Sequence, residues 1–274
     1  MKKYVVIFLC LALYNASAAE ADSSHRTVFG TIGNNINAAG SNAGYIIGEI
    51  GSISLNSVEI IAGVGVGTLL ISTYDDYLRT KVTSGHTKVS DNFNSTVKEY
   101  GGTYSILGVA GTLYIGGLLF ESDEVSTTGL LVAEGLIISG VTNGLLKFAF
   151  GRARPYQNTG SSNFQWFEVG NDFASLPSGH TTVAFTISTV LSERINRWWA
   201  TIPLYGLAAA AGYSRMYHDM HWASDVFLGA AIGYFSGKAI VAAEKHRVKL
   251  TEKSGVGELR LYPTVGGIGL TYKF

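Results

Sequence analysis

Residues 174–185 read ASLPSGHTTVAF, and this stretch decides how the second half of the chain is built. Pro177 stands before Ser-Gly-His, and a long apolar run from Thr181 to Arg194 follows it, so residues 178–180 are placed at the N-terminus of a helix. Backbone N–H groups at Ser178, Gly179 and His180 and the positive end of the dipole then form an anion site. Gly179 lets a ligand approach the backbone closely. The same four residues, SGHT, occur earlier at 84–87, followed by Lys88, Ser90, Asp91 and Asn92 in a polar segment. That first copy reads as an ordinary loop, and only the second as a helix start.

Outward from this point, apolar stretches recur at Val58–Thr73, Tyr104–Phe120, Thr128–Phe150, Thr181–Arg194, Trp199–Tyr213 and Ala223–Glu244, with short charged or Gly/Pro-marked breaks. The expectation is an all-α fold, a helical bundle of about six core helices rich in Gly, Ala and Ser that permit close backbone approach. The last residues, ELRLYPTVGGIGLTYKF, alternate apolar and polar around a Pro/Gly turn and read as a short C-terminal β-hairpin packed on the bundle. The terminal Phe on an alternating strand resembles the ending of outer-membrane barrel proteins, which leaves an outer-membrane association open, but two strands cannot close a barrel. The domain plan is therefore a signal peptide at 1–18, an irregular arm at 19–57 rich in Gly, Asn and Ser, a helical domain at 58–250 and a tail at 251–274.

The 274 residues carry no formal net charge and 47% of them are hydrophobic, enough to bury a large core, with no basic excess to engage nucleic acid. Lys2 and Lys3, an apolar run from Tyr4 to Tyr14 and small residues at Ala16 and Ala18 have the pattern of a cleavable secretory signal, so the protein is expected in a bacterial cell envelope. The one cysteine, Cys10, lies inside that run and excludes thiol nucleophiles, disulfides and Cys-based metal sites from the mature chain. Only Tyr100–Phe120 offers 21 consecutive uncharged residues, whereas a spanning helix needs about 20. The other runs are interrupted by Glu134, Lys147 or Lys238. A bundle in or on the periplasmic side of the membrane, touching lipid, is the expectation.

Taken alone, Ser-Gly-His is no more than a helix cap; two further clusters change its meaning. KFAFGRARP supplies Lys147 and, seven residues on, Arg154 followed by Pro155. SRMYHDMHWASD supplies Ser214, Arg215, His221 and Asp225. His221 and Asp225 are four apart and share a helix face, so the carboxylate is placed to accept the imidazole Nδ1–H and leave Nε2 free as a nucleophile. Arg215 brings a planar fork that suits two oxygens of one phosphate. Three cations and backbone N–H groups are sufficient to hold a transferring phosphoryl group without a metal.

Lys-x6-Arg-Pro, Pro-Ser-Gly-His and Ser-Arg-x5-His-x3-Asp together resemble the tripartite signature of the type 2 phosphatidic acid phosphatase family, whose superfamily includes bacterial acid phosphatases and vanadium haloperoxidases. The resemblance spans about 147–225 with every signature position present. It implies His221 as the nucleophile that becomes a phosphohistidine, Asp225 as its orienting partner and His180 as the acid for the leaving oxygen. Lys147, Arg154, Ser178, Gly179 and Arg215 would hold the phosphate. No cofactor or metal is implied, and the implied substrate is a lipid phosphate, an isoprenyl diphosphate or another phosphomonoester.

Other readings stay open at this level. Vanadate in the same cradle would make a haloperoxidase, which the small size and Asp225 disfavour; an inactive signature would leave a structural envelope protein. Arg152 is either a fourth phosphate contact or a solvated cation. Trp222 either packs or lines the pocket beside His221, and His218 with His221 is a weak metal pair lacking a third ligand.

Overall fold

The computed structural model describes residues 28–51, 54–168, 170–254, 259–264 and 267–272. Among them nine α-helices follow one another: α1 Val28–Gly51, α2 Leu55–Ser72, α3 Asp75–Thr83, α4 Lys88–Val97, α5 Thr103–Leu119, α6 Asp123–Phe150, α7 Gly179–Ile195, α8 Trp198–Tyr217 and α9 Ala223–Ser254. The fold is an all-α bundle, and the six expected helices are all present as α2 and α5–α9. Backbone pairing at Leu259–Thr264 and Gly267–Tyr272 is antiparallel. The turn between them, 265–266, and the joint to α9, 255–258, lie outside the described residues, and the terminal hairpin stays an expectation. The expected signal peptide also falls outside the described residues.

Three helices were not foreseen, and α1 corrects the irregular arm expected at 19–57. Its Gly, Asn and Ser residues are poor helix formers in isolation. Tertiary partners supply what propensity does not: Asn42 is buried and its Nδ2 donates to Glu134 Oε2 at 3.1 Å and Glu244 Oε2 at 3.4 Å. Isolated helical tendency matters little once side chains are held this way.

The core is built where α5, α6, α7 and α9 meet. Leu113, Leu131, Val132, Ile187, Val190, Leu191, Ile240 and Val241 are all buried and belong to one cluster. Each such side chain contributes about 1.5–3 kcal/mol when removed from water. The most extensive helix pair is α7 with α9. Gly229, Gly233 and Gly237 recur every four residues on α9 and lie against α7. A Cβ at Gly229 would stand 2.6 Å from Ser178 O, at Gly233 2.4 Å from Thr182 O, and at Gly237 2.7 Å from Thr189 Cβ. This small-residue seam lets the two backbones touch, and it sets the start of α7 beside the start of α9.

The membrane reading also changes in detail. By length and composition α6 and α9 are each apolar and long enough to cross a membrane. Their charged interruptions do not break the helices, because Glu134 accepts from Asn42 and Lys238 pairs with Glu193 at 2.6 Å. The stretch expected to be longest, 100–120, is instead bent: the segment Lys88–Gly101 meets Tyr104–Leu119 at 54°. On α6, Ile137, Val141 and Leu145 form one face and are 66%, 58% and 64% exposed, as suits contact with lipid.

The seam predicts opposite signs for one substitution at two helical glycines. Gly233→Ala is expected to lower stability by about 1–3 kcal/mol through the clash with Thr182. Gly140→Ala, where an added Cβ meets nothing within 4 Å, is expected to raise it by about 0.5–1 kcal/mol. Thermal melts of the two purified variants against the parent check both directions.

Candidate active site

The chain after α6 is turned by a residue that must be glycine. Gly151 caps the helix at φ 52°, and a Cβ there would fall 1.6 Å from Gln165 O. The backbone then doubles against residues 163–165: Ala153 N donates to Asn163 O at 2.9 Å and Gln165 N to Gly151 O at 2.7 Å. Further on, Arg154 N donates to Asp172 O and Ser175 N to Arg152 O. This folded loop brings Lys147, Arg154 and residues 174–180 to one end of the bundle.

Three cations converge there. Lys147, Arg154 and Arg215 act electrostatically on one another and on His180, and the first two act on His221. Lys147 Nζ donates to Ala174 O, and Arg154 Nε donates to Asn171 O at 2.9 Å. Arg215 is buried, its Nε has no hydrogen-bond partner among the described residues, and burial beside Arg154 pushes its guanidinium down to about 10. Like charges held this close disfavour one another's charged form, and a nearby negative charge would favour it. At the start of α7, Ser178 is the N-cap residue with no side-chain cap, and Gly179, His180 and Thr181 open the helix. The Ser178 N–H is already given to Asp225 O at 3.0 Å, so it is not the free anion donor expected from the sequence.

His221 sits on the floor of this site and is buried. Its Nδ1 lies 2.8 Å from the carbonyl of Ser175 and 3.7 Å from Asp225 Oδ2. The nearest acceptor is thus the Ser175 carbonyl rather than the Asp225 carboxylate. Asp225 Oδ2 accepts instead from Ser175 Oγ at 2.6 Å and from Trp222 N at 2.8 Å. With Nδ1 held as the donor, Nε2 keeps its lone pair. Burial chiefly pushes the His221 imidazolium down to about 3 against the opposing pull of Asp225, so the ring is neutral over the ordinary pH range. Burial and the cations Arg215, Arg154 and Lys147 likewise push His180 down to about 4.

The first SGHT is a loop, as read, but it too leads into a helix, since Thr87 caps α4, so the second copy is not alone at a helix start. The difference lies in how that helix end is closed. Thr87 Oγ1 accepts from Ser90 N at 3.2 Å, and the Ser90 hydroxyl returns to the Thr87 backbone N–H at 2.9 Å, a reciprocal capping box. His86 is half exposed and spends its ring on Asp91, 3.1 Å away, and on a 4.1 Å stack with Tyr217.

Arg152 is neither a phosphate contact nor solvated. It is 2% exposed and bonded to Asp225, Asp75, Ser224 and the Ser161 carbonyl. Trp222 packs, with its Nε1 donating to Ala153 O at 2.9 Å. Ser175 and Asp75 were missed by the sequence reading. Ser175 acts through its carbonyl, which no residue type announces, and Asp75 lies 150 positions before Asp225.

Residues 128–249 match the model of the PAP2 superfamily. The chain is 31% identical over 182 residues to a lipid A 1-phosphatase of Porphyromonas gingivalis, covering 62% of this chain and 35% of that protein. It is 32% identical over 111 residues to a lipid A 1-phosphatase of Rhizobium johnstonii, covering 40% of this chain and 45% of that one. The chain therefore spans about a third to under a half of the length of these curated relatives. In fold it is similar to the crystal structure of a transmembrane PAP2 type phosphatidylglycerolphosphate phosphatase from Bacillus subtilis. That likeness has a TM-score of 0.53 at 16% identity, over 68% of this chain and 96% of that one.

The cation cluster predicts oxyanion binding that can be measured without turnover. Arg215→Ala is expected to weaken orthophosphate binding about tenfold or more in calorimetry, since charge-assisted bonds are worth about 1.5–3 kcal/mol. Arg194→Ala, whose Nε instead meets Thr128 Oγ1 at 3.1 Å, is expected to leave it unchanged.

Proposed function

We propose, from the match of residues 128–249 to the PAP2 superfamily model, that the chain is a metal-independent phosphomonoesterase working through a phosphohistidine. Its substrate is a lipid phosphate or isoprenyl diphosphate, and its site faces the periplasm. The observation that carries this reading is the buried His221, its Nδ1 2.8 Å from Ser175 O, with Lys147 and Arg154 near enough to act on its ring. In the first step the Nε2 lone pair attacks phosphorus as the P–O bond to the leaving group breaks, and His180 gives its proton to the leaving oxygen. In the second, water attacks the phosphohistidine, His180 takes the water proton, and phosphate and neutral His221 are restored. Lys147, Arg154, Arg215 and the N–H groups of Gly179 and His180 hold the equatorial oxygens, supplying the charge that a metal would otherwise provide. Asp225 orients the ring through Ser175 and Trp222.

A lipid substrate is supported by an apolar groove of about 1060 Å³ between α2, α6 and α9. Its walls include Leu146, next to Lys147, and Leu176, next to Ser175, together with Ile61, Phe164 and Trp166. Acyl or prenyl chains laid there would leave the phosphate at the cations. The secretory pattern at 1–18 supports the periplasmic side, and the paired segments Leu259–Thr264 and Gly267–Tyr272 are read as the strands of a terminal β-hairpin that follows α9, four residues later than the tail expected from residue 251.

Phosphate release from a panel of lipid and soluble phosphomonoesters tests the function. His221→Ala is expected to abolish turnover, His180→Ala to lose about 10²-fold or more, and His86→Ala to stay near the parent. EDTA should leave the rate unchanged and orthovanadate should inhibit it. Equal losses at His86 and His180, or substantial activity in folded His221→Ala, would sink the assignment.

The two histidines also set a pH signature. In the free enzyme His180 is protonated only near or below about 4, while His221 is neutral above about 3, so kcat/KM is expected to peak at acid pH. A bound phosphate offsets the three cations that depress His180 and raises its pKa, so the alkaline limb of kcat is expected to lie at higher pH than that of kcat/KM. Coincident limbs in the two profiles would remove His180 from the acid role.

A further inference from the structure

The guanidinium that opposes Asp225 is itself held from a part of the chain outside the matched superfamily segment. Arg152 Nη1 donates to Asp225 Oδ1 at 2.6 Å, and its Nη2 donates to Asp75 Oδ2 at 2.8 Å. Asp75 belongs to α3 and is 1% exposed; Asp225 and Arg152 are buried as deeply. Asp75 also accepts from Ser224 N at 3.0 Å through Oδ1 and from Ser224 Oγ at 2.5 Å through Oδ2. Ser224 is the residue before Asp225, so one carboxylate grips both the arginine and the backbone that carries Asp225.

We propose that Asp75 and Arg152 are positioning residues for phosphoryl transfer, forming with Asp225 a buried acid–base–acid triad that sets the orientation and charge of Asp225. The inference rests on the proposed role of His221. Two carboxylates and one guanidinium leave one net negative charge beside the imidazole. Phosphorylation at Nε2 leaves the ring cationic while Nδ1 keeps its proton, and a negative charge at 3.7 Å stabilises that cation. Were Asp75 absent, the guanidinium would answer to Asp225 alone and cancel its charge. Were Arg152 absent, two buried carboxylates would stand without a counter-charge, and protonation would follow. Ser161 O fixes the third side of the guanidinium at 2.7 and 2.9 Å, and Ser161 Oγ is in turn bonded to Asp76 of α3 at 2.7 Å. Arg79, one turn further along α3, grips Asp219 through both carboxylate oxygens at 2.6 Å. The short helix α3 thus clamps both loops that carry the site.

The test compares the full-length parent with Asp75→Asn, Arg152→Met and the double variant, using dihexanoyl phosphatidic acid as substrate. Each protein is also labelled with ¹⁵N-histidine, and the His221 ring signals are assigned by their loss in His221→Ala. Asp75→Asn is expected to lower kcat about tenfold with KM within twofold, and to shift the His221 ring signals. Arg152→Met is expected to lose about a hundredfold. The double variant restores a single negative charge at Asp225 and is expected to recover at least tenfold over Arg152→Met. Losses that multiply in the double variant, or an Asp75→Asn protein with the parent's kcat and unshifted His221 signals, would overturn the triad. Should Arg152→Met fail to fold, the near-isosteric Asp75→Asn decides through kcat and the ring signals together. A parent that releases no phosphate from any ester in the panel refutes the phosphatase reading instead, and the His221 signals of Asp75→Asn then still decide for or against the triad.

Discussion

A buried carboxylate organises this molecule. Asp225 accepts from Arg152, from the Ser175 hydroxyl and from the Trp222 backbone, while its own carbonyl accepts the Ser178 N–H. Three segments that are distant in sequence, the loop after α6, the 175–178 turn that leads into α7 and the start of α9, meet at this residue. A carboxylate removed from water is tolerated only when its oxygens are occupied and its charge is opposed. That requirement dictates the rest: a guanidinium must reach it, and something must hold the guanidinium.

The packing of α7 on α9 is the apolar counterpart of that requirement. Glycines at 229, 233 and 237 allow contact at backbone distance, which places Ser178 and Asp225 within one hydrogen bond of each other. Bulkier residues along the seam would separate the two helix starts, and the turn that carries Ser175 would no longer meet His221. Core packing and site geometry are therefore coupled through the same pair of helices.

The site itself is electrically lopsided. Three cations crowd an end of the bundle, and both histidines are held neutral there by burial and by those cations. Away from the cations, an apolar groove runs between α2, α6 and α9, lined by Ile61, Leu146 and Leu176 among others.

Much of this was legible in the amino-acid order alone. The six long apolar runs marked helices, and Lys147, Arg154, His180, Arg215, His221 and Asp225 were visible as three clusters whose chemistry is local to each. Tertiary structure decided the remainder. It made a helix of the Asn- and Gly-rich residues 28–51, because Asn42 finds carboxylates on two other helices. It distinguished two identical SGHT sequences, since a capping box closes one helix end while the other stands open before three arriving cations. It gave the His221 Nδ1 to a backbone carbonyl, and it set Arg152 between Asp75 and Asp225. Residue type and short-range spacing carry helix periodicity and local chemistry. Which buried charge opposes which depends on segments up to 150 residues apart being pressed together, and no spacing rule encodes that.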